Sequence, residues 1–260
     1  MTAVVMTQTW NPDQYLKFAG PRLRPAVDLL SRVQPRRPPA TVVDLGCGAG
    51  NVTGLLADRW PTAAIEGVDS SATMLAKARA DGPAATWTEA DLATWSAAGP
   101  IDVLFSNAAL HWLDDHDDLF PRLAAMVSGG GVLAVQMPRN HGAASHICMT
   151  EAAGPWHDRL ATVLRPSPVA TPETYYDMLA PHVADLDIWE SVYTHVLEGD
   201  NPVVEWTKGT ALKPLLDALD EAARADFLAD YGARIRAAYP PRADGRTLFP
   251  FRRLFIVATV

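Results

Sequence analysis

Cysteine is nearly absent from this 260-residue chain. Cys47 and Cys148 stand in unlike contexts, so neither a disulfide framework nor a zinc site is implied, and no other metal site is expected. A reducing compartment fits, and the cytoplasm is the expected location. No apolar run approaches the ~18 residues that a membrane span needs. Met1 to Trp10 lacks the basic flank and apolar stretch of a signal peptide. Cations are outnumbered, 22 Lys and Arg against 30 Asp and Glu. The formal net charge of -8 argues against broad nucleic-acid binding, which depends on many contacts between cations and phosphates. It leaves room for a local basic pocket that takes a small anion. No internal repeat or low-complexity tract stands out, and nothing points to an obligate protein partner.

What is present reads as one large α/β domain over residues 1–260. Short apolar, partly β-branched runs at Thr41 to Leu45 and Ala64 to Val68 predict buried parallel strands. Ala85 to Thr88, Ile101 to Ser106 and Gly131 to Gln136 continue the series, with helices expected at Asn51 to Arg59, Ser71 to Ala80 and Asp117 to Met126. Strands that alternate with helices imply a doubly wound, mostly parallel sheet. Asp187 to Val196 and Arg253 to Ala258 bring the strand count to seven. The cofactor-binding core is expected at about 40–138. Pro35, Pro38 and Pro39 separate it from a helical N-terminal segment at about 10–35. After Met137 the rhythm breaks at Gly154, Pro155, Pro166, Pro168 and Pro172, which predicts mainly helical cap insertions at about 139–185 and 199–245.

Val42-Val43-Asp44-Leu45 runs straight into Gly46-x-Gly48-x-Gly50. Glycines there let the backbone approach a ligand closely. A dinucleotide fingerprint would need Gly or Ala at position 51, where this chain has Asn51. S-adenosylmethionine has no pyrophosphate and makes no such demand. The next strand ends at Asp69, followed by Ser70, and a carboxylate there can accept from both hydroxyls of a ribose. Capping of the following helix is the plainer alternative for that pair. Asp91 can accept from an adenine amino group and Leu92 N–H can donate to the ring, while Met74 and Leu92 could sandwich the purine. Met74 could equally belong to the core. The fourth strand leads to Asn107, Ala108, Ala109, Leu110, His111 and Trp112 at the ligand edge of the sheet, where His111 and Trp112 could also serve packing alone.

These motifs resemble those of the class I S-adenosylmethionine-dependent methyltransferases, whose core is Rossmann-like. Trp10-Asn11-Pro12 with Tyr15 and Phe18, Arg22-x-Arg24-Pro25-Ala26, and Asn107 to Trp112 are similar to the bacterial trans-aconitate 2-methyltransferases. So are Leu133 to Pro138, Tyr175-Tyr176-Asp177, Asp187-Ile188-Trp189, Leu212-Lys213-Pro214 and Arg253 to Ala258, so the resemblance spans nearly the whole chain. Ala49 stands where that family commonly has proline. Lys213 stands where arginine is expected, and it loses the planar fork that grips a carboxylate with two parallel bonds.

The resemblance implies methyl transfer from S-adenosylmethionine to one carboxylate of trans-aconitate, giving a monomethyl ester and S-adenosylhomocysteine. A carboxylic acid with a pKa near ~4 is already ionised at neutral pH, so no general base is required. A tricarboxylate in an acidic protein needs a local set of cations and donors. Lys213 and Arg253 are the expected clamp for the distal carboxylates, with His146, Tyr176 and Trp206 as partners and His111 and Trp112 lining the methyl-transfer cavity. Arg24 is assigned to the methionine carboxylate of the cofactor, and Asp44, Gly46, Gly48, Asp69, Ser70, Met74, Asp91, Leu92 and Asn107 complete its site. Surface or interdomain ion pairs are the competing use for these cations. Another small carboxylate or small-molecule acceptor is the alternative on the same fold. An NAD-linked oxidoreductase is disfavoured by the loop spacing, and a module that binds the cofactor without turnover by the full cap.

Overall fold

The computed structural model describes residues 20, 23–164, 169–209 and 211–260. Trp10, Asn11, Pro12, Tyr15, Phe18, Arg22, Pro166 and Pro168 lie outside them.

Seven strands form one sheet: β1 (Thr41–Leu45), β2 (Ala64–Asp69), β3 (Thr86–Glu89), β4 (Ile101–Asn107), β5 (Val127–Pro138), β6 (Asp185–Leu197) and β7 (Thr247–Thr259), in the order β3-β2-β1-β4-β5-β7-β6. The pairs β1–β2, β2–β3, β1–β4 and β4–β5 are parallel. β7 runs antiparallel to β5, since Gly130 N–H donates to the Val260 carbonyl and Val260 N–H returns the bond to Gly131 at 3.1 Å. This is the mostly parallel, doubly wound α/β sheet expected from the sequence. β1 is buried along Val42, Val43, Asp44 and Leu45, with a strand paired on each side of it. It pairs with β2 on one side and β4 on the other, so strand order reverses at its carboxyl end, where open α/β sheets form their ligand crevice.

Strand limits differ from expectation where pairing overrides composition. The strand expected from Gly131 begins at Val127, so Gly129 and Gly130 lie inside β5. The exchange with Val260 draws them into the strand, and Gly130 takes a left-handed φ of +82° to do so.

Helix α1 (Arg24–Arg32) carries proline in its first turn and buries Ala26, Val27, Leu29 and Leu30. α2 (Asn51–Arg59) follows the glycine loop. α3 (Ala72–Asp81) is capped by Ser71, whose hydroxyl accepts from Met74 N–H at 3.3 Å. α4 (His116–Ala125) buries Leu119, Phe120 and Leu123 on one stripe, with Asp117 and Asp118 in its first turn.

The chain divides into two compact units, the first running through Met137 and adding Thr171–Trp189 and Phe255–Val260. It includes α7 (Pro172–Leu179), after α5 (Ala144–Ala152) and α6 (His157–Leu160) of the second unit. The second unit is Pro138–Ala170 with Glu190–Leu254, and also holds α8 (Pro202–Lys208), α9 (Lys213–Ala218) and α10 (Glu221–Ala238). Its core is organised by α10, whose Phe227, Tyr231 and Ile235 recur every four residues and are fully buried. The Tyr231 hydroxyl lies 3.2 Å from Thr207 Oγ1 and donates to the Ser145 carbonyl at 3.3 Å, which ties α8 and α5 to α10.

Candidate functional site

Between β1 and α2 the chain turns over the end of β2. Gly46 N–H donates to the Val68 carbonyl at 2.8 Å, and Cys47 N–H donates to the same oxygen at 3.0 Å. Gly46 is left-handed (φ +82°), and a Cβ added to it would stand 2.1 Å from that of Ala109. Gly50 (φ +83°) opens α2, and a Cβ there would meet the Trp87 ring at 2.7 Å. Trp87 also backs Gly67 and Gly82, where an added Cβ would come within 3 Å of its ring. Sequence reasoning missed Trp87, although a lone Trp in a strand beside a glycine-containing strand is the available signal. Cys47 lies in this loop, buried, with its thiol pushed up to about 12 by burial and then by Asp44 and Asp69, so it stays protonated and inert.

The three acids differ in exposure. Asp44 is buried and accepts from the Thr53 hydroxyl at 2.6 Å, which links the end of β1 to the first turn of α2 on either side of the loop. Burial pushes its carboxyl up to about 7, against the Thr53 bond and helped by Asp69. Asp69 Oδ2 accepts from Gly48 N–H at 2.8 Å and Oδ1 from Ser71 N–H at 2.9 Å. The cap of α3 is therefore Ser71, while Ser70 is part of the turn between Asp69 and that cap. Asp91 is exposed and accepts from Ala93 N–H at 2.9 Å. Leu92 beside it is buried, and Arg122 of α4 fixes their loop by donating from Nη2 to the Ala93 carbonyl at 2.7 Å. Met74 is about half exposed, at 48%, and is not a core residue.

At the end of β4, the Ser106 hydroxyl donates to the Leu45 carbonyl at 2.7 Å, binding the two strands where the order reverses. Asn107 Oδ1 is buried and accepts no hydrogen bond from any described residue. Ala108 is left-handed (φ +53°), and a 3-10 turn at Leu110–Trp112 follows. A left-handed alanine costs roughly 1–2 kcal/mol and marks the segment as held by its surroundings. One such support is His116, whose Nε2 lies 3.0 Å from the Leu110 carbonyl and whose Nδ1 lies 2.6 Å from the Tyr175 hydroxyl. The carbonyl requires a proton on Nε2, so in the neutral ring Nδ1 accepts from Tyr175. Within the turn, the His111 ring packs 4.7 Å from Trp112, which is 51% exposed.

The residues assigned to the acceptor fall in different settings. Tyr176 is exposed and Tyr175 fully buried. His146 is largely buried, and burial together with His141 pushes its ring down to about 4, so it is neutral at pH 7. Trp206 stacks on His195 at 4.5 Å within a cluster that includes Phe249 and Phe251. Arg253 is buried, its guanidinium carbon 4.7 Å from the Phe251 ring centroid and 6.0 Å from that of Tyr193. Lys213 is exposed and pairs with Asp217 one turn along α9 at 2.6 Å. It is a surface ion pair, and the structure does not bring it into an enclosed cluster with Arg253. Arg24 is exposed, 3.8 Å from Asp28 on the next turn of α1. Among the described residues no group of His, Cys, Asp and Glu could hold a metal ion, and no helix is long and apolar enough to cross a membrane.

Comparisons with known proteins identify the family and the fold. A family described as a methyltransferase domain matches residues 42–131. The trans-aconitate 2-methyltransferase of Azoarcus sp. is 52% identical over 96% of this chain and 98% of its own length. The enzymes of that name from Methylobacterium nodulans and Streptomyces coelicolor are 50% and 49% identical over 96% of this chain, and over 97% and 86% of theirs. Among solved structures, an S-adenosylmethionine-dependent methyltransferase from Mesorhizobium loti superposes with a TM-score of 0.52 at 21% identity, over 92% of this chain and 98% of that one. Phosphoethanolamine N-methyltransferase 2 of Haemonchus contortus, in complex with S-adenosyl-L-methionine, gives 0.54 at 15% identity over 95% of this chain. This chain spans 56% of that enzyme's length. Both likenesses concern the fold.

Proposed function

The chain belongs to the trans-aconitate 2-methyltransferase family, and from that membership we infer that it transfers a methyl group from S-adenosylmethionine to a carboxylate of trans-aconitate. The products are a monomethyl ester and S-adenosylhomocysteine. One observation carries the acceptor: identity near one half extends over 96% of the chain, whereas the general methyltransferase family matches residues 42–131 alone. The similarity therefore includes the residues outside the cofactor core, where acceptor choice resides.

The residues present fit the cofactor. A carboxylate offers about four lone-pair positions, and Asp69 has two of them taken by Gly48 and Ser71. The remaining two suit the ribose hydroxyls. Asp91 and the Leu92 N–H suit the adenine edge, and the exposed Met74 supplies an apolar face for the ring. Asn107 Oδ1, a buried acceptor that no described donor reaches, suits the ammonium of the methionine moiety. Arg24 is the proposed partner of its carboxylate. Asp44 and Ser70 act through the loop and the turn they hold, with Gly46 and Gly48 giving the backbone room.

When bound, S-adenosylmethionine supplies a methyl group on a positively charged sulfur. The chain has to hold an ionised carboxylate in place and keep water away, and positioning of this kind is worth up to ~7–11 kcal/mol of barrier. Trp112 and His111 line the reacting edge in this reading, and the buried guanidinium of Arg253 is the cation proposed for a distal carboxylate. Tyr176, His146 and Trp206 remain proposed neutral partners. An acceptor that is already ionised needs no side chain to remove a proton. The cytoplasm is the proposed location, in keeping with two free cysteines.

A pH–rate profile tests the acceptor class. A flat kcat/KM for trans-aconitate between about pH 6.5 and 8.5 is expected, because its carboxylates are ionised throughout. A rise with pH through that range would indicate a general base and a carbon or phenol acceptor.

A further inference from the structure

The loop after β3 carries Asp91 and Leu92 on a single turn of chain. The Asp91 carbonyl accepts from Thr94 N–H at 3.1 Å and from Trp95 N–H at 2.8 Å, and its Oδ1 caps the turn through Ala93 N–H at 2.9 Å. One isolated turn does not hold itself, because fixing its dihedrals costs more than its few hydrogen bonds return. Its last carbonyls also need donors from elsewhere.

Arg122 of α4 supplies them. Nη1 donates to the Trp95 carbonyl, and Nη2 donates to the Ala93 carbonyl at 2.7 Å and, more weakly, to that of Leu92 at 3.5 Å. One planar guanidinium thus spans three carbonyls of the turn, a grip that uses its rigid fork of donors. The Leu92 and Trp95 side chains are buried beneath the turn, while Asp91 stays exposed at its start. The support is itself fixed, since α4 buries Leu119, Phe120 and Leu123 and sets His116 Nε2 3.0 Å from the Leu110 carbonyl. The same helix therefore braces the turn that bears Asp91 and the turn that bears His111.

We propose that Arg122 is a positioning residue for the purine: by holding this turn it aims Asp91 and the Leu92 N–H so that the site takes adenine and rejects a purine with oxygen at C6. The proposal rests on Asp91 and Leu92 N–H meeting the adenine edge. Adenine offers its 6-amino group to the carboxylate and its N1 lone pair to the N–H, whereas hypoxanthine presents an oxygen and an N–H at those places. Both contacts are inverted, and groups placed for one pattern are left unpaired by the other. Rejection requires a rigid turn, because a loosened one lets Asp91 swing away from the wrong base.

Calorimetry with S-adenosylhomocysteine and S-inosylhomocysteine, on the full chain and on Arg122→Gln, Arg122→Lys and Tyr175→Phe, tests this. The unaltered chain is expected to prefer the adenosyl ligand about tenfold or more. Arg122→Gln is expected to weaken the adenosyl ligand about tenfold and to leave the inosyl ligand within about twofold, so the preference collapses. Arg122→Lys keeps the charge without the fork and falls between. Tyr175→Phe loosens α4 at its other end, through His116, and is expected to keep the preference. An arginine that serves stability alone would lower the melting temperature and leave the ratio of the two affinities unchanged in folded protein. An undiminished ratio in Arg122→Gln, or in Arg122→Lys should the glutamine variant not fold, would overturn the role of Arg122 and leave the adenine contacts of Asp91 standing. A loss of ratio in Tyr175→Phe as large as in Arg122→Gln would overturn it too, by making the effect one of general loosening. Equal affinities for the two ligands in the unaltered chain would overturn the adenine contacts and the proposal together.

Discussion

Asp69 Oδ2 accepts the Gly48 N–H at 2.8 Å while Oδ1 accepts the Ser71 N–H at 2.9 Å. One carboxylate therefore ties the glycine loop after β1 to the start of α3 after β2. The loop conformation, left-handed at Gly46, Gly48 and Gly50, is held at its middle by the acid proposed to receive the ribose. Ordering of the loop and binding of the cofactor converge on the same side chain.

Asp69→Ala removes both roles. Hydrogen bonds to charged groups are worth about 1.5–3 kcal/mol each, so loss of two to ribose weakens S-adenosylmethionine binding roughly a hundredfold or more. Calorimetric titration of the variant measures this directly, and an affinity within threefold of the unaltered chain would remove Asp69 from the ribose site.

Gly46 and Gly48 separate steric from conformational demands. Both are left-handed, which costs an alanine roughly 1–2 kcal/mol. At Gly48 an added Cβ meets nothing within 4 Å, whereas at Gly46 it would stand 2.1 Å from Ala109 Cβ. Gly46→Ala should lower the melting temperature clearly more than Gly48→Ala and abolish cofactor binding. Equal melting temperatures for the two variants would contradict the packing described for the loop.

Asp44 makes stability depend on pH. Its carboxyl ionises near 3.8 in the unfolded chain and near 7 in the folded one, chiefly because burial disfavours the charge. Between those values the folded chain holds the extra proton, so stability falls as pH rises through about 4 to 7 and levels off above. Asp44→Asn keeps an oxygen for the Thr53 hydroxyl without the charge. Melting temperatures at pH 5, 6.5 and 8 should decline less in the variant, and parallel declines would refute the assignment.

Features with a short sequence span were the most legible. Gly46, Gly48, Gly50, Asp69 and Asp91 announce themselves by spacing from strand ends, because a strand, a turn and a helix start are local structures. Partners brought together over long sequence distances were not readable. His116 lies 59 residues from Tyr175, and Trp87 reaches Gly50 and Gly67 only once β2 and β3 are paired. Arg122 holds carbonyls 27 to 30 residues before it, so its role too is set only by the fold. Lys213 is the opposite case. Family expectation placed it in the clamp, yet Asp217 four residues on is a local reason for a surface pair that the sequence itself displays. Met74 stands half exposed in the first turn of α3, whose buried residues are Leu75 and Ala78.

The most direct measurement of the central claim is mass spectrometry after incubating the full chain with methyl-labelled S-adenosylmethionine and a panel of tricarboxylates. The account predicts a labelled monomethyl ester of trans-aconitate, formed in equal amount with S-adenosylhomocysteine. Recovery of no labelled ester from any tricarboxylate, with the cofactor still bound, would contradict it.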